Sequence, residues 1–208
     1  MLQGLLSNGL ISLAAPLLAT GAAVSGLLGG APTTGSPATA EAQSPATIPA
    51  ANYTLTPQRR ALLATIRYAE GTWKQGSREG YHTLYGGGRF ASLARHPEIV
   101  VVKRYTSAAA GAYQFLPGTW REASRRLQLQ SFDPASQDQA ALYLIDRRGL
   151  LELIDRRGLT AETMAGLAKE WASFPNMAGL SAYGQPVKSR DDLLRFYQQS
   201  LSATQRQA

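Results

Sequence analysis

The 208-residue chain contains no cysteine and only two histidines, His82 and His96. Without thiols there is no disulfide frame and no thiolate metal site, and a chain that crosses into an oxidising compartment risks no mispairing. Two imidazoles leave a multi-histidine metal centre short of ligands, so the expected chemistry uses neither metal nor cofactor. Charge and aromatics are missing from the first quarter. Glu41 is the only charged residue before Arg59, and Tyr53 is the first aromatic. All 21 lysines and arginines, and all but one of the 14 aspartates and glutamates, therefore follow position 52. That part carries an excess of eight positive charges, which suits a polyanionic partner: nucleic acid, an anionic membrane or a bacterial wall.

Residues 1–30 are apolar and uncharged, with Leu10-Ile11-Ser12-Leu13 and Pro16-Leu17-Leu18 leading into Ala/Gly-rich sequence. Their length suits a secretory signal, and Ala38-Thr39-Ala40 has the small-x-small form of a cleavage site. Against that, no lysine or arginine forms an n-region, and scattered glycines weaken any spanning helix. Composition leaves open a cleaved signal, a signal anchor and an apolar disordered tail. We read an export or membrane-inserting segment, which puts the remainder outside the cytoplasm, in the periplasm or cell wall, either secreted, membrane-tethered or carried on a virion. Residues 31–51 are Ala, Pro, Thr and Ser with one charge and no aromatic. They cannot bury a core and read as a linker, semi-extended at the prolines. One folded domain is expected over 52–208.

Within that domain, Thr56-Pro57 reads as an N-cap and first helical position, and Gly71 as the residue past the helix end. Leu62, Ile66 and Glu70 fall at i, i+4 and i+8, so Glu70 continues an apolar stripe into the last turn. Burial disfavours a carboxylate, and so does the negative end of the helix dipole. Both push the Glu70 pKa upward, toward a carboxylic acid that keeps its proton near neutral pH, which is what a general acid needs. The plain alternative is a solvated glutamate at a helix end.

Residues 73–115 change texture, with glycines and β-branched residues. Thr83-Leu84-Tyr85 before Gly86-Gly87-Gly88 reads as a short strand entering a turn, and Ile99 to Lys103 as a second strand. Together with Ala112 to Phe115 they predict a small antiparallel sheet with long loops. Helices are then expected over Pro117–Leu127, from Asp133-Pro134 to Gly149, over Thr160–Phe174, and after a capping Ser189. Met164, Leu167 and Trp171 mark the core face of the third. Leu144 to Leu150 recurs as Leu153 to Leu159, read as two helix ends closed by solvated arginines and a Gly C-cap.

From Asn52 onward, 157 of the 208 residues, the chain resembles the phage lambda lysozyme family, the lambda-type endolysins. The matches run in order: Tyr68-Ala69-Glu70-Gly71-Thr72; Gly80-Tyr81, Gly86-Gly87, Phe90 and His96-Pro97; Ala110 to Gln114 with Trp120. Ser136-Gln137-Asp138, Arg147, Gly149, Ile154-Asp155-Arg156, Trp171-Ala172-Ser173 and Tyr183-Gly184-Gln185 follow. Each is weak alone; the ordered set is specific. The resemblance implies an α+β, lysozyme-like fold, mostly helical with a small antiparallel sheet. It also implies a lytic transglycosylase that acts on peptidoglycan glycan strands and leaves 1,6-anhydromuramic ends; a monomer is the simplest expectation. Glu70 is then the catalytic residue. By the same resemblance Gly111, Tyr113 and Gln114 line the cleft, while Tyr85, Tyr183, Gln185, His82 and Trp73 are candidate sugar contacts. His82 departs from the lambda enzyme, which has an aspartate after the Gly-Tyr pair. That removes one candidate second acid, and Glu79 and Glu98 read as surface charges.

Three function classes compete. A transglycosylase, with a hydrolytic muramidase as its near alternative, uses Glu70 as the acid. A wall-binding module has no need of a destabilised acid. A nucleic-acid binder would use the positive charge, but the basic residues are scattered and no reader motif is present, so no nucleic-acid partner is expected. Membrane association is expected only through residues 1–30.

Overall fold

The computed structural model describes residues 53–181 and 187–206. The leader, the linker, Tyr183 and Gln185 lie outside the described residues. Regular structure among them runs α1 (Pro57–Ala69), β1 (Val101–Val102), β2 (Thr106–Ser107), α2 (Pro117–Leu127), α3 (Pro134–Arg147), α4 (Leu151–Arg157), α5 (Ala161–Leu167) and α6 (Arg190–Gln205). None of these helices is long and apolar enough to cross a membrane.

The first helix forms as its sequence predicts. Thr56 is extended, its hydroxyl accepts the Arg59 N–H, and Pro57 supplies the first helical turn without a wasted donor. Leu62 and Ile66 are fully buried, Glu70 caps the helix with its N–H on the Ile66 carbonyl at 2.9 Å, and Gly71 turns away at φ +75°. Helix α1 packs along α6, which buries Leu193 and Tyr197. A second apolar centre is aromatic: Trp120 from α2 meets Phe132 edge-on at 4.6 Å and Phe115 at 5.7 Å. Ile145 and Ile154 complete the core from α3 and α4.

Less sheet forms than the β-branched residues suggest. The ladder is two residues per strand, with Val101 opposite Ser107 and Val102 opposite Thr106. Thr83 and Leu84 make single bridges to Arg89 and Ala110. Three 310 turns, Lys74–Gly76, Arg78–His82 and Tyr85–Gly87, lie in the chain between α1 and β1. Gly86 and Gly87, at φ +75° and +92°, bend the chain away before a ladder can extend. Ile99 and Val100 stay exposed, because β propensity reflects packing and here no strand lies opposite to pack them.

Two further expectations change. The helix predicted over 160–174 stops at Leu167, where the backbone tightens: Lys169 N–H bonds Gly166 and Glu170 N–H bonds Leu167. Met164, Leu167 and Trp171 are all core, as their spacing implies, but Trp171 reaches it from the turns beyond the helix. In the repeat, α3 and α4 do end before Gly149 and Gly158 at φ +67° and +69°. The first pair of arginines is not simply solvated, however. Arg147 and Arg148 both hold Glu170, at 2.8 and 2.6 Å.

Candidate active site

Glu70 sits where three distant segments are tied together. Its own segment is fastened to residues 111–115 by Thr72, whose hydroxyl donates to the Ala112 carbonyl at 2.5 Å. The segment after α5 is fastened to the same stretch by Trp171, whose Nε1–H donates to the Tyr113 carbonyl at 3.1 Å. That segment then delivers Ser173, whose hydroxyl donates to Glu70 Oε1 at 2.6 Å across a separation of 103 residues. Close approach is needed at Gly80, where a Cβ would lie 2.0 Å from the Thr72 carbonyl oxygen.

The Glu70 carboxyl is 4% exposed, and Oε2 is buried with no partner. Burial pushes its pKa up to about 8, against the opposing effect of the Ser173 hydrogen bond. The acid is thus protonated at neutral pH, with one oxygen held by Ser173 and the other uncommitted. Such a group can donate a proton and, once ionised, take one back.

The segment that carries Ser173 is braced by Glu170, which is almost fully buried between the two repeat arginines. Its partners keep about 30% of their side-chain surface, so they can turn to water if the carboxylate is lost. Glu170→Ala is therefore expected to cost about 1–2 kcal/mol, less than a fully enclosed pair, together with a fall in turnover as the 170–173 turn loosens. Urea unfolding beside a wall-clearing assay reads both.

The other predicted site residues divide. Gly111 at φ +83° gives its N–H to the Thr83 carbonyl, and Gln114, left-handed at φ +49°, donates from Nε2 to the Gly111 and Thr83 carbonyls at 2.9 and 3.2 Å. Gln114 thus braces the loop with its amide donors. Tyr85 is 3% exposed and packs on Ala109. His82, half-buried beside Phe90, places Nδ1 3.0 Å from the Phe90 carbonyl, which requires the proton on that nitrogen. Tyr113 is 1% exposed, and its hydroxyl donates to Asp138 Oδ1 at 2.5 Å. Trp73 lies against Phe196, edge to face at 5.4 Å. Glu79 is exposed and pairs with Arg89, and Glu98 is exposed.

Three residues that hold or brace Glu70 escaped the sequence reading. Ser173, Thr72 and Glu170 had no assigned role, although Thr72 and Ser173 stand in the matched segments. A buried acid calls for a nearby small donor, but nothing in the spacing says that the donor comes from 103 residues away.

Comparisons with known proteins give the family. Residues 60–204 match the family model described as Endolysin. Over 148 residues the chain is 34% identical to the endolysin of Escherichia phage lambda, covering 69% of this chain and 90% of that one. Among solved structures it is similar to bacteriophage lambda lysozyme complexed with a chitohexasaccharide, at TM-score 0.64 and 33% identity, covering 71% of this chain and 96% of the other. A second structure of lysozyme from bacteriophage lambda gives TM-score 0.62 and 29% identity over the same shares. The chain belongs to the endolysin family, with the lysozyme-like fold, and so to the peptidoglycan-cleaving lysozymes.

Proposed function

We propose that this endolysin is a lytic transglycosylase that cuts the β-1,4 bond from N-acetylmuramic acid to N-acetylglucosamine, with Glu70 as acid and then base. The carrying observation is Glu70 itself: enclosed, protonated to about pH 8, and shifted by burial with no neighbouring carboxylate contributing. Glycoside hydrolysis normally sets two carboxylates on either side of the bond. A transglycosylase works with one, because the nucleophile is the sugar's own C6 hydroxyl. Glu70 protonates the leaving oxygen, the glycosidic bond breaks, and the resulting carboxylate takes the C6 hydroxyl proton as that oxygen closes on C1. Proton and charge return to their starting places. Holding the hydroxyl against the oxocarbenium-like centre supplies acceleration through position. Ser173 steadies the carboxylate during the interval in which it is charged. The positive excess favours residence on a polyanionic wall, outside the cytoplasm.

Mass spectrometry of muropeptides released by the full chain tests the reaction. Products lighter than reducing-end muropeptides by one water, about 18 Da, support transglycosylation, while reducing-end products make the chain a hydrolytic muramidase. Ser173→Ala separates the acid from its donor. Removing the hydroxyl deletes the influence that lowers the Glu70 pKa, so the alkaline limb of kcat/KM moves above pH 8. The rate at neutral pH falls about tenfold, the worth of one hydrogen bond to a charged group. A pH–rate profile reads both changes.

A further inference from the structure

A cavity of about 670 Å³ lies between α1, α6 and the turn at 73–76, and Glu70 is not among the residues that line it. Its wall carries three charged side chains: Arg60, which is exposed and donates its Nε–H to the Leu55 carbonyl at 3.2 Å, and the more deeply set Arg67 and Asp138, which form no ion pair with each other. Arg67 is 6% exposed and held between the rings of Trp73 and Tyr81, at 5.0 and 4.6 Å. Its Nη2 donates to the Ser77 and Trp73 carbonyls, but its Nε is buried with no acceptor. Asp138 also lines the cavity, and its Oδ1 accepts both the Tyr81 and Tyr113 hydroxyls. Among the described residues no ion pair joins Arg67 to Asp138, although each is close enough to act on the other's surroundings electrostatically. The remaining wall mixes the aromatic Trp73 and Phe196 with the aliphatic Leu55 and Leu63 and the polar Gln199 and Ser200.

The Arg67 Nε–H without an acceptor, and Asp138, whose two hydrogen bonds both fall on Oδ1, suit a ligand that accepts at one end and donates at the other. A charged ligand would be desolvated beside one like charge; a neutral amide supplies both functions without that cost. The volume matches a disaccharide or a short peptide, and the aromatic faces suit the apolar side of either. We propose that this cavity is a second binding site, separate from Glu70, for an amide-bearing unit of the wall polymer. The amide carbonyl accepts from Arg67 and its N–H donates to Asp138. The ligand chemistry comes from the cavity; its source in the wall rests on the proposed substrate. Occupied during turnover, the site anchors the enzyme on the strand beside the bond that it cuts. Peptidoglycan offers such amides in two places, the acetamido groups of its sugars and the peptide bonds of its stems.

The test is a ¹⁵N–¹H titration of the full chain carrying Glu70→Gln, so that no ligand is consumed. One arm adds N,N′-diacetylchitobiose, the other the tripeptide L-Ala-γ-D-Glu-L-Lys. The expected result is a saturable shift of the Arg67 Nε–H and Trp73 indole N–H signals with at least one probe, and the responding probe names the source. Two cavity-filling variants from the surface of α6, Ser200→Trp and Thr204→Trp, should abolish that shift while retaining the dispersed spectrum of a folded protein. The proposal is overturned if neither probe moves those signals, if both filled variants respond as before, or if shifts are confined to residues around Glu70 and Ser173. Muropeptide release by the unsubstituted chain is scored separately. A responding cavity in an enzyme that releases nothing would sink the proposed function and keep the site, and a silent cavity in an active enzyme does the reverse.

Discussion

Glu70→Gln is expected to end muropeptide release, with kcat/KM down about a thousandfold or more, and at the same time to make the protein more stable. The loss follows from role: glutamine keeps the shape and can still accept from Ser173, but has no proton to give. The gain follows from linkage. In the unfolded chain the carboxyl releases its proton near 4.5, whereas in the fold it keeps it to about 8. Between those values the folded state binds more protons, so stability falls as pH rises from 4.5 to 8 and is level above. Glutamine removes that dependence. Parent and variant should match near pH 4 and diverge by roughly 4–5 kcal/mol by pH 8. Thermal unfolding across that range checks the sign, and a variant less stable than the parent at pH 8 would mean that Glu70 is ionised in the fold.

Gly111→Ala should be strongly destabilising. A Cβ there lies 2.3 Å from Gln137 Oε1 and 2.8 Å from Phe132 Cζ, on a backbone at φ +83°. Gln137 cannot step aside freely. Its Oε1 accepts the Ala112 N–H, and its Nε2 donates to the Tyr81 and Phe132 carbonyls at 3.2 and 2.7 Å, all with the side chain fully buried. Left-handed strain adds about 1–2 kcal/mol, and each displaced buried hydrogen bond about 1–3. The expected loss is about 4 kcal/mol, a drop in Tm of roughly 8–16 °C for a domain of this size. Gly149→Ala is the control. Its φ of +67° carries the same strain, but nothing lies within 4 Å of the added carbon, so it should lose only about 1–2 kcal/mol. Calorimetry on the pair separates backbone strain from the clash with Gln137.

What the sequence determined by itself was local or periodic. Thr56-Pro57 and Gly71 bracketed α1 because capping needs only adjacent residues, and Leu62, Ile66 and Glu70 announced a buried acid because a helix repeats every 3.6 residues. Ser189 opened α6 by the same logic, its hydroxyl accepting the Asp192 N–H. The lysozyme likeness came from short segments in a fixed order. Tertiary structure decided whatever depends on a partner distant in the chain. Ile99 and Val100 had strand character and found no strand, since a ladder requires a neighbour that propensity does not provide. Tyr113 turned its hydroxyl to Asp138, and Arg147 and Arg148 turned from a solvated helix end into the brace on Glu170. Ser173 met Glu70 because Trp171 and Thr72 tie both segments to residues 112 and 113. Sequence could place an acid on a buried stripe; only the closed fold removed its water, which raises its pKa, and supplied the hydroxyl that offsets part of that rise.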